Sequence, residues 1–415
     1  ASPGAEGHVA VAGETARCTA DGDGEWRTAV GPLEAGGTHR LVMESGEGDR
    51  LALSDIMVGE VWLASGQSNM VMHVRRTDTA EEDIKKGDRP GIRFYKVAHA
   101  PAGSPRKDVP GGPWMRSTPD TVPGFSAAAY HFARTLREEL DVPVGIIQSA
   151  VGGSRVQAWM RRGAFAGNPA LEPDLKQIEE LEKKLDSLAD AKRPRKTPTV
   201  YYNGMIAPLV PYAFRGTIWY QGEANAKPGE AERYEAAFST LIREWRREWG
   251  HKFPFLFVQL PEFQDRNENW VRLQKQQRLT AEHVDNTAMI VTLGLGNPQN
   301  IHPRRKRPVG HRLALAALAK AYGRTDAAWS GPQVKKAGAI GDGRVKVSFV
   351  HVHGGLRTRN GALTGFELQD GDGEWSDAEV RISGEAVVVQ SADVSEPRGV
   401  RYAWSEVPEA RLYNE

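Results

Sequence analysis

The stretch Val58–Met70 reads VGEVWLASGQSNM, and its pattern sets the interpretation of the whole chain. Val58–Ala64 is a short apolar run, and such a run closed by a turn signal is typical of a buried strand. Ser65 and Gly66 then interrupt the apolar run. A strand that ends in a glycine-containing turn can present a serine hydroxyl, here that of Ser68, at the carboxyl edge of a sheet. Open α/β sheets bind their ligands at that edge.

Ser68 has two interpretations at this stage. As a nucleophile it would benefit from a helix that begins at or just after it, because the free N–H groups at a helix start favour a nearby oxyanion. As a structural residue it would simply cap that helix, a position in which serine is common. Short motifs also match by chance, so the motif alone leaves both interpretations open.

Composition and charge exclude several classes of protein. The 415 residues are too many for one ordinary domain and predict two or three. The 54 basic and 53 acidic residues give a net charge of +1, which argues against nucleic acid or an anionic membrane as the main partner. No segment approaches the length of a membrane span. The single cysteine, Cys18, excludes an intramolecular disulfide and any metal site built on cysteine.

Residues 58–325 alternate between apolar strand patterns and helix patterns. The predicted strands are Val58–Ala64, Ile92–Val97, Val144–Ser149, Gly216–Tyr220, Phe255–Leu260 and Ala288–Leu293. The predicted helices are Ser126–Leu140, Tyr234–Trp249, Val271–His283 and Pro308–Tyr322. An apolar stripe from Leu175 to Leu188 predicts a further surface helix. The alternation predicts a parallel sheet with helices on both faces.

The two flanking regions have a different pattern. Residues 1–57 are rich in glycine, and alternating runs predict strands at His8–Ala12, Trp26–Val30, His39–Glu44 and Arg50–Ile56. These strands are too few for a complete β-sandwich. Residues 326–415 return to short alternating strands separated by Asp-Gly and Gly-Gly turns, and predict a β domain. That domain could complete the amino-terminal strands into one sandwich.

Three further stretches follow predicted strands and carry polar groups. Ser149–Ser154 contains glycines that let backbone N–H groups approach a ligand. Trp219–Asn225 places amide side chains beside a flexible turn, and Asn297–Pro303 carries His302. Four strand ends thus supply a serine, a glycine, an asparagine and a histidine. Ester hydrolysis needs a serine that attacks, a histidine that takes and returns the proton, and donors that hold the oxyanion.

The order Ser, Gly, Asn, His resembles that of the SGNH hydrolases. The blocks GQSNM, GGS…AW, YNGMIAPLVPY, WYQGEAN and IHP resemble the sialate O-acetylesterase branch, which is also similar to bacterial carbohydrate acetylesterases. The resemblance covers nearly the whole chain. It implies an α/β fold in which a flavodoxin-like, three-layer α/β/α parallel-sheet domain of the SGNH type is flanked by β-sandwich segments.

The resemblance also implies roles for residues. Ser68 would be the nucleophile and His302 the general base. The oxyanion hole would consist of the Ser68 N–H, the Gly153 N–H and the Asn225 side chain, with Gly152 as the alternative to Gly153. Candidates for substrate binding are Gln67, Arg155, Trp159 and Gln221, although Trp159 could equally be a core residue and Arg155 equally a structural ion pair.

One departure from the family pattern concerns the third catalytic group. The family usually has an aspartate two or three residues before the histidine, and this chain has Gln299 and Asn300 there. Loss of the carboxylate costs about 10⁴-fold in turnover in the serine proteases. Our hypothesis is a Ser68–His302 dyad whose imidazole N–H is accepted by Gln299, by Asn300 or by the main chain, with Glu223 as a possible substitute.

These observations lead to a prediction of function. We expect a secreted or periplasmic serine esterase that removes O-acetyl groups from a carbohydrate, with its signal peptide removed from this chain and no metal or organic cofactor. Acetylated sialic acid and acetylated plant polysaccharide, such as xylan or xyloglucan, are the alternative substrates. A catalytically weakened carbohydrate-binding relative is the third alternative, motivated by the missing aspartate.

Overall fold

A computed structural model describes residues 1–185, 197–265, 267–325, 328–358, 361–409 and 412–414. Its central sheet has seven strands: β5 (Glu60–Gly66), β6 (Arg89–Lys96), β7 (Met115–Ser117), β8 (Val144–Ala150), β9 (Gly216–Tyr220), β10 (Phe255–Val258) and β11 (Thr287–Ile290). Their order is β11-β10-β9-β5-β8-β6-β7. All neighbours are parallel except β7, which is antiparallel to β6 at the edge.

The first strand of this sheet lies in its middle. Strand β5 pairs with β8 on one side and with β9 on the other. The chain therefore changes sides of β5 between β8 and β9, and the loops that follow both strands flank the carboxyl end of β5. Such a switch point leaves a crevice between neighbouring loops, and ligands of open α/β sheets bind there. The topology thus brings together loops that are far apart in sequence.

Seven α-helices accompany the strands in the described part of the chain. They are α1 (Ser68–Val71), α2 (Ala80–Lys85), α3 (Ala127–Leu140), α4 (Glu172–Leu185), α5 (Tyr234–Trp249), α6 (Asn269–His283) and α7 (Arg307–Tyr322). Helix α3 begins after Ser126, whose Oγ accepts a hydrogen bond from the Ala129 N–H, as the serine signal predicts. Helix α4 contains most of the predicted apolar stripe, and Leu188 lies outside the described residues.

Both faces of the central sheet are covered, because successive side chains of a strand point to opposite faces. Leu63 and Trp219 belong to a core with residues of α5 and α6. Trp62 and Tyr220 belong to a second core, on the other face, with residues of α3 and α7. The prediction of a parallel sheet with helices on both faces is therefore confirmed.

The amino-terminal residues form a separate antiparallel sheet. Its strands are β1 (Glu6–Val11), β2 (Glu14–Thr19), β3 (Gly36–Ser45) and β4 (Arg50–Val58), in the order β2-β1-β3-β4. The prediction of a strand at Trp26–Val30 is wrong, because that segment is irregular and β2 pairs with β1 through a tight turn instead. Asp55 of β4 binds Arg93 and Arg116, which joins this sheet to the β6–β7 edge.

The carboxy-terminal residues form a third antiparallel unit. Its strands are β12 (Gln333–Ala339), β13 (Arg344–Val350), β14 (Arg357–Thr358), β15 (Phe366–Gln369), β16 (Trp375–Ser383), β17 (Ala386–Gln390), β18 (Gly399–Tyr402) and β19 (Leu412–Tyr413). Six of them form one sheet, and β14 pairs with β19. Within the described ranges, no ladder joins these strands to β1–β4, so the expected sandwich is not built by strand pairing between the two ends. The Phe263 N–H donates to the Glu406 carbonyl (3.2 Å), which links this unit to a loop of the central domain.

In the ranges given above, the structure contains no helix that is both long and apolar enough to span a membrane.

Candidate active site

The predicted nucleophile lies where β5 gives way to α1. Gly66 has a φ of +133°, and a β-carbon on it would lie 2.2 Å from the Tyr220 carbonyl oxygen, so only glycine fits this turn. The N-cap of α1 is Gln67, and Ser68 is the first helical residue. The half-buried Ser68 hydroxyl has no hydrogen-bond partner among the described residues. The capping interpretation of Ser68 is therefore wrong.

The glycine loop after β8 lies against the predicted nucleophile. A β-carbon on Gly152 would lie 3.7 Å from the Ser68 β-carbon, whereas one on Gly153 would meet no atom within 4 Å. The Val151 N–H donates to the Gly66 carbonyl (3.1 Å), which joins this loop to the turn before Ser68. A side chain at Gly152, unlike one at Gly153, would thus point toward Ser68.

His302 lies in the loop between β11 and α7, and the residue before it is tied to the serine helix. Asn69, next to Ser68, donates from Nδ2 to the Ile301 carbonyl over 2.9 Å. Burial lowers the pKa of His302 below its ordinary value of 6.5, and the positive charges of Lys306 and Arg76 lower this pKa further. The imidazole is therefore neutral at pH 7, which is the form that accepts a proton.

The amides that precede His302 do not reach its ring. Asn300 is exposed, and its Oδ1 accepts the backbone N–H of His302 over 2.9 Å. Gln299 is also exposed, and its backbone N–H donates to Asn297 Oδ1. In the part of the chain that the structure describes, no group is hydrogen-bonded to the His302 imidazole. The hypothesis that Asn300 orients the ring is therefore corrected, because its side-chain oxygen binds the backbone instead.

Glu223 lies close to this region but binds a different partner. Its Oε1 accepts Asn69 Nδ2 over 2.6 Å, and its Oε2 is buried with no hydrogen-bond partner. Burial raises the pKa of Glu223 to about 7, against the lowering effect of the Asn69 hydrogen bond. Glu223 thus contacts Asn69 and not the His302 ring, and the idea that it directly replaces the aspartate is corrected.

Asn225 was expected to donate to the oxyanion, but its amide is fully occupied. Its Nδ2 donates to Gln157 Oε1 (2.9 Å) and to Glu230 Oε2 (3.2 Å). Its Oδ1 accepts the Val156 N–H (2.9 Å) and Gln221 Nε2 (2.8 Å). A side-chain amide has only two N–H donors, so Asn225 has none left for a substrate in this arrangement. This expectation is corrected.

Gln67, unlike Asn225, has side-chain amide N–H groups with no acceptor among the described residues. Its Oε1 accepts the Ala224 N–H (3.1 Å), the Gly222 N–H (3.4 Å) and Gln221 Nε2 (3.2 Å). These three donors fix which end of the amide is oxygen. The Nε2 group of Gln67 has no acceptor within the described ranges and belongs to the residue immediately before Ser68. Gln67 therefore keeps amide N–H donors that Asn225, in this arrangement, does not have.

Three other predicted substrate contacts are structural. Trp159 is fully buried, and its indole N–H donates to Ser154 Oγ over 2.9 Å. Arg155 is 8% exposed and pairs with Asp174 (3.0 Å) and Glu230 (2.9 Å). Gln221 is buried and bonded as described above. Because these side chains are enclosed and satisfied, we correct their assignment to direct substrate binding.

Three exposed positive charges act on His73, and one of them also acts on His302. Arg75, Arg76 and Lys96 are exposed, and the structure gives none of the three an ion pair with any residue it describes. Burial lowers the pKa of His73, and these three cations lower it further. Arg76 acts on His302 in the same direction. The positive charge that these cations place near His73 and His302 would favour an anionic ligand there.

A metal site and a cavity are two other features that could indicate a functional site in the described residues. Within the ranges that the structure describes, no group of three or more histidine, cysteine, aspartate or glutamate side chains could hold a metal ion. A cavity of about 460 Å³ lies at the opposite edge of the central sheet, where Glu60, Arg215 and Lys252 line it. That cavity contains none of the residues discussed above.

An α/β fold with a serine after its central strand β5 and a histidine in the loop after β11, joined to the serine helix through Asn69, has the composition of a serine hydrolase site. Residues 58–319 match the model of a family described as carbohydrate esterase, sialic acid-specific acetylesterase. This match covers more than half of the 415 residues. The chain belongs to this family of carbohydrate esterases, which are carboxylic ester hydrolases. The predicted resemblance to sialate O-acetylesterases is confirmed.

Individual relatives agree with this assignment. The chain is 29% identical to the sialate O-acetylesterase of Rattus norvegicus over 358 residues, which cover 75% of this chain and 66% of the relative. The corresponding values for the sialate O-acetylesterase of Homo sapiens are 28%, 75% and 63%. The chain thus spans about two thirds of the length of these relatives. A carbohydrate acetylesterase of Xanthomonas citri has a similar structure, with a TM-score of 0.88 and 35% identity over 100% of this chain and 91% of that chain.

Proposed function

We propose that this protein is a serine esterase that removes O-acetyl groups from an anionic sugar of the sialic acid type. The observation that carries the proposal is the unpaired, half-buried Ser68 hydroxyl beside the Gly152 backbone, with the neighbouring His302 loop tied to the serine helix. The central domain of the proposed enzyme would correspond to the three-layer SGNH fold. An acetylated glycan as substrate favours the expected secreted or periplasmic location.

The proposed reaction proceeds in two steps. Ser68 Oγ attacks the acetyl carbonyl carbon while His302 takes the hydroxyl proton, and His302 then gives this proton to the departing sugar oxygen. The products of this step are the free sugar hydroxyl and acetyl-Ser68. Water then attacks the acetyl-Ser68 ester with His302 again as base, and acetate and the Ser68 hydroxyl are released. Neutral His302, with its lowered pKa, suits the role of base at pH 7.

The oxyanion would be held by donors close to Ser68. The N–H groups of Ser68 and of Gly152, or of Gly153, supply the backbone part. We assign the side-chain part to Gln67 instead of Asn225, because Gln67 retains amide N–H groups while both of those of Asn225 are occupied. A preorganised donor of this kind contributes about 3–4 kcal/mol to the stability of a transition state.

Electrostatics favours an acetylated sialic acid over an acetylated xylan. A sialic acid carries a carboxylate, whereas xylan is neutral at its acetylated sugars, and a cation at the site would attract only the former. Arg76, together with Arg75 and Lys96, provides that positive charge. Arg155, which the sequence also suggests for substrate binding, does not provide this charge, because it is already paired with Asp174 and Glu230.

The decisive experiment measures acetate release from two substrates, an O-acetylated sialic acid and an acetylated xylan oligosaccharide. We expect release from the sialic acid, its loss in Ser68→Ala, and wild-type rates in the control Ser395→Ala, whose serine is exposed in the carboxy-terminal unit. Arg76→Gln should raise KM for the sialic acid and leave KM for a neutral aryl acetate unchanged.

Other outcomes would contradict the proposal in identifiable ways. Release from the xylan oligosaccharide alone would replace the substrate class while leaving the esterase chemistry intact. Full activity of Ser68→Ala would overturn the nucleophile. Inactivity on both sugars and on an aryl acetate would identify the protein as the catalytically weakened relative.

A further inference from the structure

Three buried polar side chains lie behind Ser68 and have no part in the proposed chemistry. Asn69 and Lys306 are 0% exposed and Glu223 is 8% exposed. Asn69 Nδ2 donates to Glu223 Oε1 over 2.6 Å, and Lys306 Nζ donates to Asn69 Oδ1 over 2.6 Å. Such a buried polar cluster is costly unless it is well satisfied, which raises the question of what it does.

Asn69 is the junction of this cluster and connects three parts of the chain. Its own backbone belongs to α1, next to Ser68. Glu223 comes from the loop after β9, and Lys306 immediately precedes α7. The second Nδ2 hydrogen bond of Asn69 goes to the carbonyl of Ile301 (2.9 Å), the residue before His302. One side chain therefore links the serine helix to the histidine loop.

The Ile301 carbonyl can only accept a hydrogen bond and so fixes the orientation of the Asn69 amide, and Glu223 and Lys306 are placed to match that orientation. The amide oxygen faces the ammonium group of Lys306, and the amide nitrogen faces the carboxylate of Glu223 and the carbonyl of Ile301. A flipped amide would direct N–H groups at an ammonium and an oxygen at a carboxylate and a carbonyl. Burial lowers the pKa of Lys306 to about 7, against the raising effect of Glu223. The Tyr220 ring, whose centre lies 5.1 Å from Lys306 Nζ, also stabilises the charged form.

We propose that Asn69 is a positioning residue of the esterase site: it fixes the His302 loop relative to Ser68, and Glu223 and Lys306 lock its amide in the required orientation. This inference rests on the proposed roles of Ser68 and His302. The site needs such a device because no described group binds the His302 ring. With no carboxylate to orient the imidazole, the position of the histidine depends on its backbone, and Asn69 holds that backbone from the serine side.

The proposal predicts a specific kinetic effect. Misplacement of a catalytic group by about 1 Å can cost about 100-fold in rate. Asn69→Asp has the same shape but cannot donate to Ile301, so we expect kcat to fall by about 100-fold while KM stays within about 2-fold, because Asn69 does not contact the substrate. The rate at which a fluorophosphonate labels Ser68 should fall in parallel, since labelling needs the same serine–histidine geometry.

A double variant separates positioning from simple structural stability. In Asn69→Asp combined with Glu223→Gln, the new amide can donate to the new carboxylate, so the link between positions 69 and 223 is restored, but the link to Ile301 is not. We expect the midpoint of chemical unfolding to recover in this variant while kcat stays low. Recovery of kcat together with stability would overturn the proposal, because a purely structural role requires the two to change together.

A milder substitution covers the case in which these variants fail to fold. Lys306→Met keeps the length of the side chain and removes the charge that orients the Asn69 oxygen. We expect a fall in kcat of about 10-fold with unchanged KM, whereas the exposed control Lys346→Met should retain both values. Unchanged kcat in Lys306→Met would refute the locking role. If Ser68→Ala were fully active, the proposed function would fail by itself, whatever the Asn69 variants showed.

Discussion

Gly66→Ala should damage both stability and activity, because the turn before Ser68 has no room for a β-carbon. The new atom would lie 2.2 Å from the Tyr220 carbonyl oxygen, 2.7 Å from its carbon and 2.9 Å from its nitrogen. Relief of this overlap requires β5 and β9 to separate by about 1 Å, and such overpacking costs about 1–3 kcal/mol. The φ of +133° adds a backbone strain of about 1–3 kcal/mol for alanine.

The assay compares two glycine-to-alanine variants by chemical unfolding, followed by the fluorescence of the buried tryptophans. Gly66→Ala should lower the free energy of unfolding by about 2–6 kcal/mol. The matched control is Gly167→Ala, since Gly167 also has a positive φ (+78°) but would present its β-carbon to no atom within 4 Å. Only backbone strain of about 1–2 kcal/mol remains there.

Activity provides the second half of the test. The same displacement would move Ser68 relative to His302, so kcat of Gly66→Ala should fall by about 100-fold, whereas Gly167→Ala should keep the wild-type value. Equal destabilisation by the two variants would refute the reasoning, because it would mean that the contact with Tyr220 contributes nothing. A stable but inactive Gly66→Ala would refute the estimate of strand separation while leaving the local geometry in place.

Three further predictions concern protonation and the loops around the site. Because the pKa of His302 is lowered below 6.5, kcat/KM should not change with pH around pH 7 and should fall as the pH drops through that lowered pKa. Arg76→Gln should move the inflection of this profile to higher pH. An inflection above pH 6.5 in the wild type would contradict this prediction. Burial alone would raise the pKa of Asp83, but its hydrogen bonds and ion pairs hold that pKa below the ordinary 3.8. The contribution of ionised Asp83 to stability is therefore fully present above pH 3.8 and is lost as the pH falls through the lowered pKa. Asp83→Asn should therefore cost about 3 kcal/mol of unfolding free energy at pH 7. This difference should become smaller as the pH falls below 3.8, and a difference as large at pH 2 as at pH 7 would argue against this account. Glu262 accepts hydrogen bonds from two backbone N–H groups of the histidine loop. Glu262→Gln should therefore lower the free energy of unfolding by about 1–3 kcal/mol and also lower kcat. If unfolding and acetate-release assays showed neither change, Glu262 would have no role in holding this loop.

Local sequence patterns predicted the central domain well. The predicted strands at Val58–Ala64 and Gly216–Tyr220 and the predicted helix at Tyr234–Trp249 match β5, β9 and α5 closely. These elements combine apolar content of the right length with clear turn or cap signals, so their conformation is decided within a short window. The flanking units were predicted less well. Trp26–Val30 has an alternating pattern without becoming a strand, because a strand also requires a partner edge.

Several residues of the site had no distinctive signal. Lys306 lies within the run Arg304–Arg307, which is typical of a solvated surface, yet it is completely buried. Asn69 lies inside the quoted GQSNM block, but nothing in that block indicates its partners. Glu262 follows a strand like many surface acids, and only the structure shows that its carboxylate binds the backbone N–H groups of Gly294 and Gly296.

The sequence by itself determined the family, the order of the motifs and the strand ends at which they lie, because these depend on residue type and local spacing. It left open which polar groups are free to act. Asn225 and Gln67 illustrate the difference: both are amides in quoted blocks, but the donors of Asn225 are occupied by Gln157 and Glu230, whereas those of Gln67 are not. A donor that is already hydrogen-bonded is not available to a substrate, and its partner can lie far away in the sequence, as Gln157 does from Asn225. Only the tertiary structure therefore decides which donors remain.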